Sequence, residues 1–379
     1  MSFNKQIVFL LVGLICMFMS GCGRKSVESG KAPTAFIFAR GADAQKLDPA
    51  DVDDGESVNT MAQIFEGLLA FAPGTLELVP CLAESWEISP DGLTYTFHIR
   101  EDVRFHDGTP LTAETARFSF DRQMDPAHPA HFSTASFQYW QNLYADIERV
   151  ETVDAMTLRF HLSRPNASLI TSLASFPAWL ISPASFEKYG EQMIFHPVGT
   201  GPYRFVDWRP NEAVIFERNP DYWGEPKAGF ERLVLRSIPL NPARLSELKT
   251  GNIHGLDGIQ PSELHDIDSD PRYKILHAPG MNVGYLAFSG LSETVRNLDL
   301  RRAISLAIDR ENLVRLALDG FGSVAAYPVP PGFLGIPDDA GPLHHDPEAD
   351  DLFDHIAPGE QAEKPDEIER DGEAAVDQV

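Results

Sequence analysis

The sequence predicts an α/β fold, because half-buried strands, tight turns and capped helices follow one another along the chain. Residues 93–100 alternate apolar and polar side chains, which is the pattern of a strand with one face in the core. Thr112 is an N-cap candidate for a helix over residues 113–122. With 379 residues, 43% of them hydrophobic, the chain is long enough for two or three domains with buried cores.

The charge of the chain is strongly acidic and unevenly distributed. The net charge is −25, and residues 338–379 supply −13 of it through 15 acidic and 2 basic residues. This acidity argues against nucleic acid as a partner, because phosphates need a basic surface, and against electrostatic docking on anionic lipid. Residues 341–379 have no apolar period and few aromatics, so we expect them to form a disordered acidic tail.

The N-terminus has the pattern of a lipoprotein signal peptide over residues 1–21. An apolar run at 7–19 is too short for a spanning helix, which needs about 20 apolar residues. Residues 19–22 (MSGC) resemble a bacterial lipobox, in which the Cys, here Cys22, is acylated; an ordinary signal peptide with an incidental Cys is the alternative. The small, polar residues 22–33 predict a flexible tether to the membrane.

Motifs for catalysis and metal binding are missing from the sequence. It has no nucleophile elbow, no zinc-type His-Glu-x-x-His and no P-loop, so we predict neither an enzyme nor a cofactor. His128 and His131 have His-x-x-His spacing, but nearby prolines and the lack of a third ligand favour a loop over a metal site. Once the signal is removed and Cys22 is acylated, Cys81 has no disulfide partner, and we expect it to be a packed hydrophobe.

Three blocks of sequence carry a resemblance to a known family. Residues 80–122 contain A-x-S-W-x-x-S-x-D-G-x-x-Y-T-F-x-x-R followed by V-x-F-H-D-G-x-x-L-T-A. Residues 199–208 read G-T-G-P-Y-x-F-x-x-W, and residues 218–224 read R-N-P-D-Y-W-G. All three resemble family 5 of the extracellular solute-binding proteins, the oligopeptide- and dipeptide-binding lipoproteins of ABC importers. The second block lacks the third Gly and the following helix of a dinucleotide fingerprint, so we do not predict phosphate binding there.

The resemblance implies a periplasmic-binding-protein-like two-lobed fold of type II with an accessory lobe. The implied division is lobe I from residues 34–70 and 196–277, an accessory lobe from 71–195, and the start of lobe II from 278–340. Family members are considerably longer, so we expect the chain to be truncated at its C-terminus and the second lobe to be incomplete. One wall of the ligand cleft, with the acid that pairs with a peptide's amino terminus in relatives, would then be missing.

Four residues are candidates for ligand contacts. In the family, the loop before the first helix contributes to the cleft, which points to Ser57 and Asn59; either could instead simply cap that helix. The apolar spacing extends the helix as far as Leu69. Residues 280–288 have the composition of a buried strand whose glycines let a ligand approach, which adds Asn282 and Tyr285.

For function, the resemblance implies a monomeric, lipid-anchored receptor in the periplasm or cell envelope. It would close by hinge motion on a peptide or similar small solute and hand it to the membrane subunits of an ABC importer. Relatives bind peptides, metal chelates, opines and sugars on this framework, so the fold alone does not select the ligand. Two alternatives stay open: a truncated remnant that binds nothing, and a separate polypeptide that supplies the missing lobe.

Overall fold

The computed structural model describes residues 34–328 except 136, 226 and 277–282, together with 341 and 344–346. The predicted signal peptide, the tether with Cys22, and nearly all of the predicted acidic tail lie outside the described residues, as does Asn282.

The described chain contains strands and helices in mixed order. The strands are β1 (Ala35–Arg40), β2 (Leu69–Phe71), β3 (Leu78–Pro80), β4 (Ala83–Ile88), β5 (Thr94–Ile99), β6 (Ile147–Asp154), β7 (Thr157–Leu162), β8 (Tyr203–Arg209), β9 (Ala213–Arg218), β10 (Arg232–Ser237) and β11 (Gly255–Leu256). The α-helices are α1 (Gly55–Met61), α2 (Ala113–Met124), α3 (Gln138–Leu143), α4 (Leu169–Ser172), α5 (Pro183–Tyr189), α6 (Asn241–Thr250), α7 (Pro261–Asp268), α8 (Leu298–Ala307) and α9 (Arg310–Leu318). Short 3-10 helices span Phe176–Ala178, Gly190–Phe195 and Thr294–Arg296.

A mixed five-stranded sheet has the order β11-β1-β10-β9-β8. Strand β1 runs parallel to β10 and β11, and the hairpin β8–β9 continues the sheet in antiparallel fashion. The apolar face of this sheet packs on the segment around α1, where Met61 and Ile64 are fully buried. The three parallel strands end side by side, and we call this end, formed by residues 40–43, 237–241 and 256–258, the carboxyl edge.

A second, antiparallel sheet has the order β4-β5-β7-β6 and is covered by α2. Its core is aromatic: the Phe160 ring makes edge-on contacts with Phe97 and Phe120 at centroid distances of 5.5 and 4.9 Å. The strand predicted at 93–100 is confirmed as β5, and the predicted cap of α2 is confirmed because Thr112 Oγ1 accepts from Thr115 N at 3.2 Å. Sequence periodicity therefore located both layers of this sheet.

Cys81 packs at the rim of this second core, as predicted. Its backbone N–H donates to the carbonyl of Leu68 at 3.2 Å, and its side chain contacts the core cluster of the antiparallel sheet. Burial raises the pKa of the Cys81 thiol to about 12. The thiol is therefore protonated at neutral pH, when it is a weak nucleophile.

Helix α1 is shorter than the sequence predicts, because the segment after it bonds to other parts of the chain. It ends at Met61, whereas the apolar spacing predicts a helix as far as Leu69. The carbonyl of Ile64 accepts from Gly201 N at 2.8 Å instead of bonding within a helix. The apolar side chains are still buried, namely those of Ile64, Phe65, Leu68 and Leu69.

The buried strand predicted over residues 280–288 is wrong for its described part, residues 283–288. No strand forms there, and Tyr285 and Leu286 are 71% and 63% exposed. A strand needs a neighbour for its backbone hydrogen bonds. In the described part of the chain, no strand pairs with this segment.

The two helices that follow, α8 and α9, have capping residues at their ends. Asp309 caps α9, since its Oδ1 accepts from Asn312 N at 2.9 Å. The chain leaves α9 through Asp319 and Gly320, whose φ angles are 46° and 80°. Both ends of α9 therefore follow local sequence rules: an Asp at the N-cap, and left-handed residues, the second of them a glycine, after the last turn.

The three sequence blocks that carry the family resemblance pack on one another. His106, from the V-x-F-H-D-G block, donates its backbone N–H to the carbonyl of Gly199 at 2.8 Å, and its Nε2 lies 3.0 Å from the carbonyl of Gly201. Glu66 accepts from Thr200 Oγ1 at 2.7 Å and from Trp223 Nε1 at 2.8 Å. These contacts join segments that are distant in sequence, so the signature residues here hold the fold together.

We expect His106 to make the protein sensitive to acid. Burial lowers the pKa of His106 to about 4, below the value of about 6.5 for an unfolded histidine. The unfolded chain therefore binds the extra proton first, and stability is lost as the pH falls from about 6.5 towards 4. This linkage removes about 2 kcal/mol of unfolding free energy between pH 7 and pH 5.

Urea unfolding at about pH 7 and about pH 5 measures this loss of unfolding free energy. His106→Gln should lose this part of the pH dependence, because glutamine has no proton to gain, whereas His98→Gln on β5 should keep it. An unchanged pH dependence in His106→Gln would contradict the prediction.

Candidate functional site

The carboxyl edge is the best candidate for a ligand site. In open α/β sheets, ligands bind outside the carboxyl ends of the parallel strands, where the loops that follow them converge. Strands β1, β10 and β11 end at Arg40, Ser237 and Leu256, and the N-terminus of α1 lies against the same edge through its contacts with Arg40.

Arg244 of α6 holds together the loops that follow all three parallel strands. Its Nη1 donates to the carbonyls of Ile238 and Pro239, after β10, at 2.7 and 3.0 Å. A Cβ on Gly41, after β1, would lie 3.4 Å from Nη1, and one on Gly258, after β11, would lie 3.2 Å from Nη2. Because the two glycines have no side chain, the buried guanidinium fits between the loops. It then holds these loops at a fixed distance from one another.

Arg40 ties the end of β1 to helix α1. It is 2% exposed, and its Nη1 donates to the carbonyl of Glu56 at 2.9 Å and to Thr60 Oγ1. Its Nη2 donates to Asp43 Oδ1 at 3.2 Å. The guanidinium therefore has structural partners on two sides and is shielded from water.

The carboxyl edge keeps its two arginines covered, leaves the Glu56 carboxylate partly covered and exposes Asp257. Burial lowers the pKa of Arg40, against the opposing effect of Glu56 and Asp43. Partial desolvation raises the pKa of Glu56, against the opposing effect of Arg40, and that of Asp257, against the opposing effect of Arg244. The Glu56 side chain is 26% exposed, and Asp257 is exposed. A solute with an amino or guanidinium group finds hydrogen-bond acceptors here.

Of the four predicted ligand residues, Ser57 and Asn59 lie on α1, beside this edge. Ser57 is fully buried, and its Oγ accepts from Gln45 N at 2.8 Å. Asn59 is exposed. Neither caps the helix: Asp54 is the N-cap, and its Oδ1 accepts from Ser57 N at 2.7 Å, so the predicted cap is wrong.

The other two predicted residues are not placed at the edge by the structure. Tyr285 belongs to the exposed segment 283–288, and Asn282 lies outside the described residues. A ligand role for Ser57, Asn59, Asn282 or Tyr285 stays a prediction.

Sequence reasoning missed the charged residues of the carboxyl edge. Arg40 is the last residue of β1 and Asp257 follows β11 directly, and a charged residue at the end of a short strand was a usable signal. Arg244 and Glu56 gave no such signal, because each looks like an ordinary charged residue of an exposed helix.

Metal ligands and membrane spans are not found in the part of the chain that the structure describes. No group of three or more His, Cys, Asp or Glu there is arranged to hold a metal ion. The two histidines of the His-x-x-His loop bond to backbone instead: His128 Nδ1 accepts from Ala130 N at 3.1 Å, and His131 Nδ1 lies 2.8 Å from the carbonyl of Arg122. None of the described helices has the length and hydrophobicity to cross a bilayer.

The mixed sheet and the separate antiparallel sheet belong to a fold that this chain shares with the type II periplasmic binding proteins. Residues 77–355 match the family of bacterial extracellular solute-binding proteins, family 5 Middle. The chain belongs to this family, which is one of binding proteins and not of enzymes.

Similar proteins include receptors for different solutes. Heme-binding protein A of Haemophilus influenzae is 32% identical over 348 residues, which cover 87% of this chain and 63% of that protein. Di/tripeptide-binding protein 2 of Pseudomonas aeruginosa is 31% identical over 333 residues, with coverage of 83% and 62%. The chain therefore spans less than two thirds of the length of either relative.

A solved structure has the same fold over most of this chain. It is the ABC transporter-associated periplasmic binding protein DppA from Helicobacter pylori in complex with peptide STSA, with a TM-score of 0.77 and 33% identity. The match covers 84% of this chain and 65% of that protein. The predicted fold class is confirmed by this similarity.

Proposed function

We propose that the protein is the solute-binding component of an ABC importer and captures a peptide or a similar small solute at the carboxyl edge. Its family membership supports the transport role, and the names of two relatives, for heme and for di- and tripeptides, support a small-molecule ligand. The partners would be the membrane subunits of the importer, with the receptor acting as a monomer in the periplasm or cell envelope.

One observation carries the choice of a peptide-like solute: a half-buried carboxylate, that of Glu56, and an exposed one, that of Asp257, lie beside covered arginines at the carboxyl edge. The carboxylates of Glu56 and Asp257 can accept hydrogen bonds from the amino terminus of a peptide. An exposed ion pair contributes only about 1 kcal/mol, so most of the binding free energy has to come from other contacts. Micromolar binding requires about 8 kcal/mol in total.

Calorimetric titration of the full chain with a library of di- to pentapeptides tests the proposal. We expect saturable binding of at least one peptide. Asp257→Asn should weaken it about threefold, the factor of an exposed ion pair, while Asp221→Asn on the β9–β10 connection should leave it unchanged. A folded protein that binds no peptide in the library would overturn the proposal and favour the non-binding remnant.

We also propose that the protein is anchored to the membrane through an acylated Cys22. Cys22→Ala should abolish incorporation of labelled palmitate in cells and move the protein from the detergent phase to the aqueous phase of a Triton X-114 extraction. Cys16→Ala, six residues earlier in the apolar run, is the matched control and should leave both results unchanged. Palmitate labelling that persists in Cys22→Ala would rule out this anchor.

A further inference from the structure

Helix α9 presents an apolar face to solvent. Leu313, Leu316 and Ala317 lie at helical spacing on one side of it, and we call these three residues the α9 face. The two leucines are 55% and 65% exposed, and α9 buries none of its side chains. No residue in the described part of the chain covers this face. Because helices in proteins gain most of their stability by packing an apolar side, the α9 face predicts a partner.

A later part of the chain returns to the start of α9. Asp346 donates its backbone N–H to the carbonyl of Leu306, near the end of α8, at 3.0 Å. His345 Nδ1 lies 3.9 Å from Oδ2 of Asp309, the N-cap of α9. These contacts fix the point from which the next segment, residues 347–356, continues: it is the corner between α8 and α9.

The sequence of residues 347–356 (PEADDLFDHI), which lie outside the described residues, has the pattern of a short amphipathic helix. The preceding Asp can act as its N-cap, and Pro347 suits the first helical position, where its missing N–H costs little. Three large apolar residues are spaced to share one side of this helix, namely Leu352, Phe353 and Ile356. The segment therefore offers an apolar side that can cover the α9 face.

The charges of the two parts are complementary. Residues 296–315 carry five arginines and three acidic residues, so their net charge is +2 in a chain whose total is −25. Residues 347–356 carry four acidic residues and neither Lys nor Arg. The exposed side chains of Arg302 and Arg315 can pair with these carboxylates. A second copy of the chain would instead bring one positive segment against another.

We propose that residues 347–356 dock as a short helix on the α9 face of their own chain. A helix of ten residues is about 15 Å long, and α9, with nine residues, has nearly the same length. Both begin at the same corner, so they lie side by side and parallel. Phe353 is then opposite Leu316, since each lies seven residues after its N-cap.

The covalent connection at the corner favours this occupant over a free partner, because it raises the effective concentration of the segment. The composition of the tail predicts disorder for lack of apolar surface, and the α9 face supplies such a surface to its first ten residues. Docking restricts the predicted disorder to residues 357–379. It does not depend on the binding of a solute.

Disulfide trapping in the full chain tests the proposal. Leu316→Cys and Phe353→Cys are introduced together into a variant whose three native cysteines are replaced by Ala. We expect mild oxidation to form an intramolecular disulfide in most molecules, because facing side chains of packed helices come close enough for one. Leu76→Cys with Phe353→Cys is the matched control and should form none, since Leu76 is 38% exposed but lies between β2 and β3.

Three results of this experiment would overturn the proposal. Disulfide-linked dimers formed by Leu316→Cys alone would show that a second copy covers the α9 face. The absence of any link between positions 316 and 353 would show that the segment does not dock there. Equal linking of the control pair would show that the segment has no preferred place on the protein.

A charged substitution in the segment measures how well it covers the α9 face. Phe353→Asp should raise the fluorescence of the dye ANS with the full chain about twofold, because the uncovered apolar side chains bind the dye. Ile368→Asp, in the same tail but outside the segment, is the matched control and should leave the fluorescence unchanged. Equal dye fluorescence of the two variants would contradict the docking.

Discussion

Replacing Arg122 by Met should lower the unfolding free energy by about 3–5 kcal/mol, because the carboxylate of Asp48 is then buried without a counter-ion. The two side chains are each 1% exposed, and Arg122 Nη1 donates to Asp48 Oδ2 at 2.9 Å while Nη2 donates to Oδ1. Asp48 lies in the segment after β1 and Arg122 lies on α2, so the pair connects the mixed sheet to the antiparallel sheet.

Urea unfolding followed by circular dichroism measures this loss. The matched control is Arg164→Met, which breaks an ion pair between Asp146 and an arginine that is 75% exposed, and should cost less than about 1 kcal/mol. The double variant Asp48→Asn with Arg122→Met should be more stable than Arg122→Met alone, because it removes the buried charge. Similar losses of unfolding free energy in Arg122→Met and Arg164→Met would show that the buried ion pair contributes no more to stability than the exposed one.

Gly199→Ala should cost about 3 kcal/mol, at the upper end of the range for overpacking a core. A Cβ on Gly199 would lie 2.2 Å from the carbonyl oxygen of Ile64 and 2.7 Å from the Phe65 ring. The first contact is with backbone, which a rotamer change cannot relieve. The segment of Ile64 would have to move, and its hydrogen bond from Gly201 N would be strained.

The same unfolding measurement tests this substitution. Gly229→Ala is the matched control, because a Cβ there meets no atom within 4 Å. We expect it to change stability by less than about 0.5 kcal/mol, as for a surface substitution. A Gly199→Ala protein as stable as the Gly229→Ala protein would show that the backbone adjusts freely.

Local sequence signals located strand β5 of the antiparallel sheet and helix α2 that covers it. The turns at Gly92 and Gly108 have φ angles of 69° and 89°, the left-handed conformation that Asp-Gly pairs favour. Along β5, buried side chains alternate with partly exposed ones, in step with the apolar and polar residues of its sequence. These features depend on neighbouring residues, so one sequence contains the necessary information. Gly199 and Gly201 are different: neither has a positive φ, and each is required by close approach to the Ile64 carbonyl.

Features that depend on distant partners were predicted less well. Helix α1 ends early because the Ile64 carbonyl bonds to Gly201, more than 100 residues away in sequence. Residues 283–288 are apolar enough for a strand, but apolar composition does not provide a pairing partner. At the carboxyl edge, Arg244 approaches Gly41 and Gly258 only once three strands have assembled, and this contact has no local signature.

The parallel pairing of β1 also sets an order of events during synthesis. Ala35 pairs with Arg232, so β1 leaves the ribosome long before its partner β10 exists. The antiparallel sheet, in contrast, draws all its strands from residues 83–162 and can form while the rest is still being translated. Contacts of such large sequence separation close slowly. We therefore expect β1 to be the part of the nascent chain that stays unpaired longest and most needs protection by a chaperone.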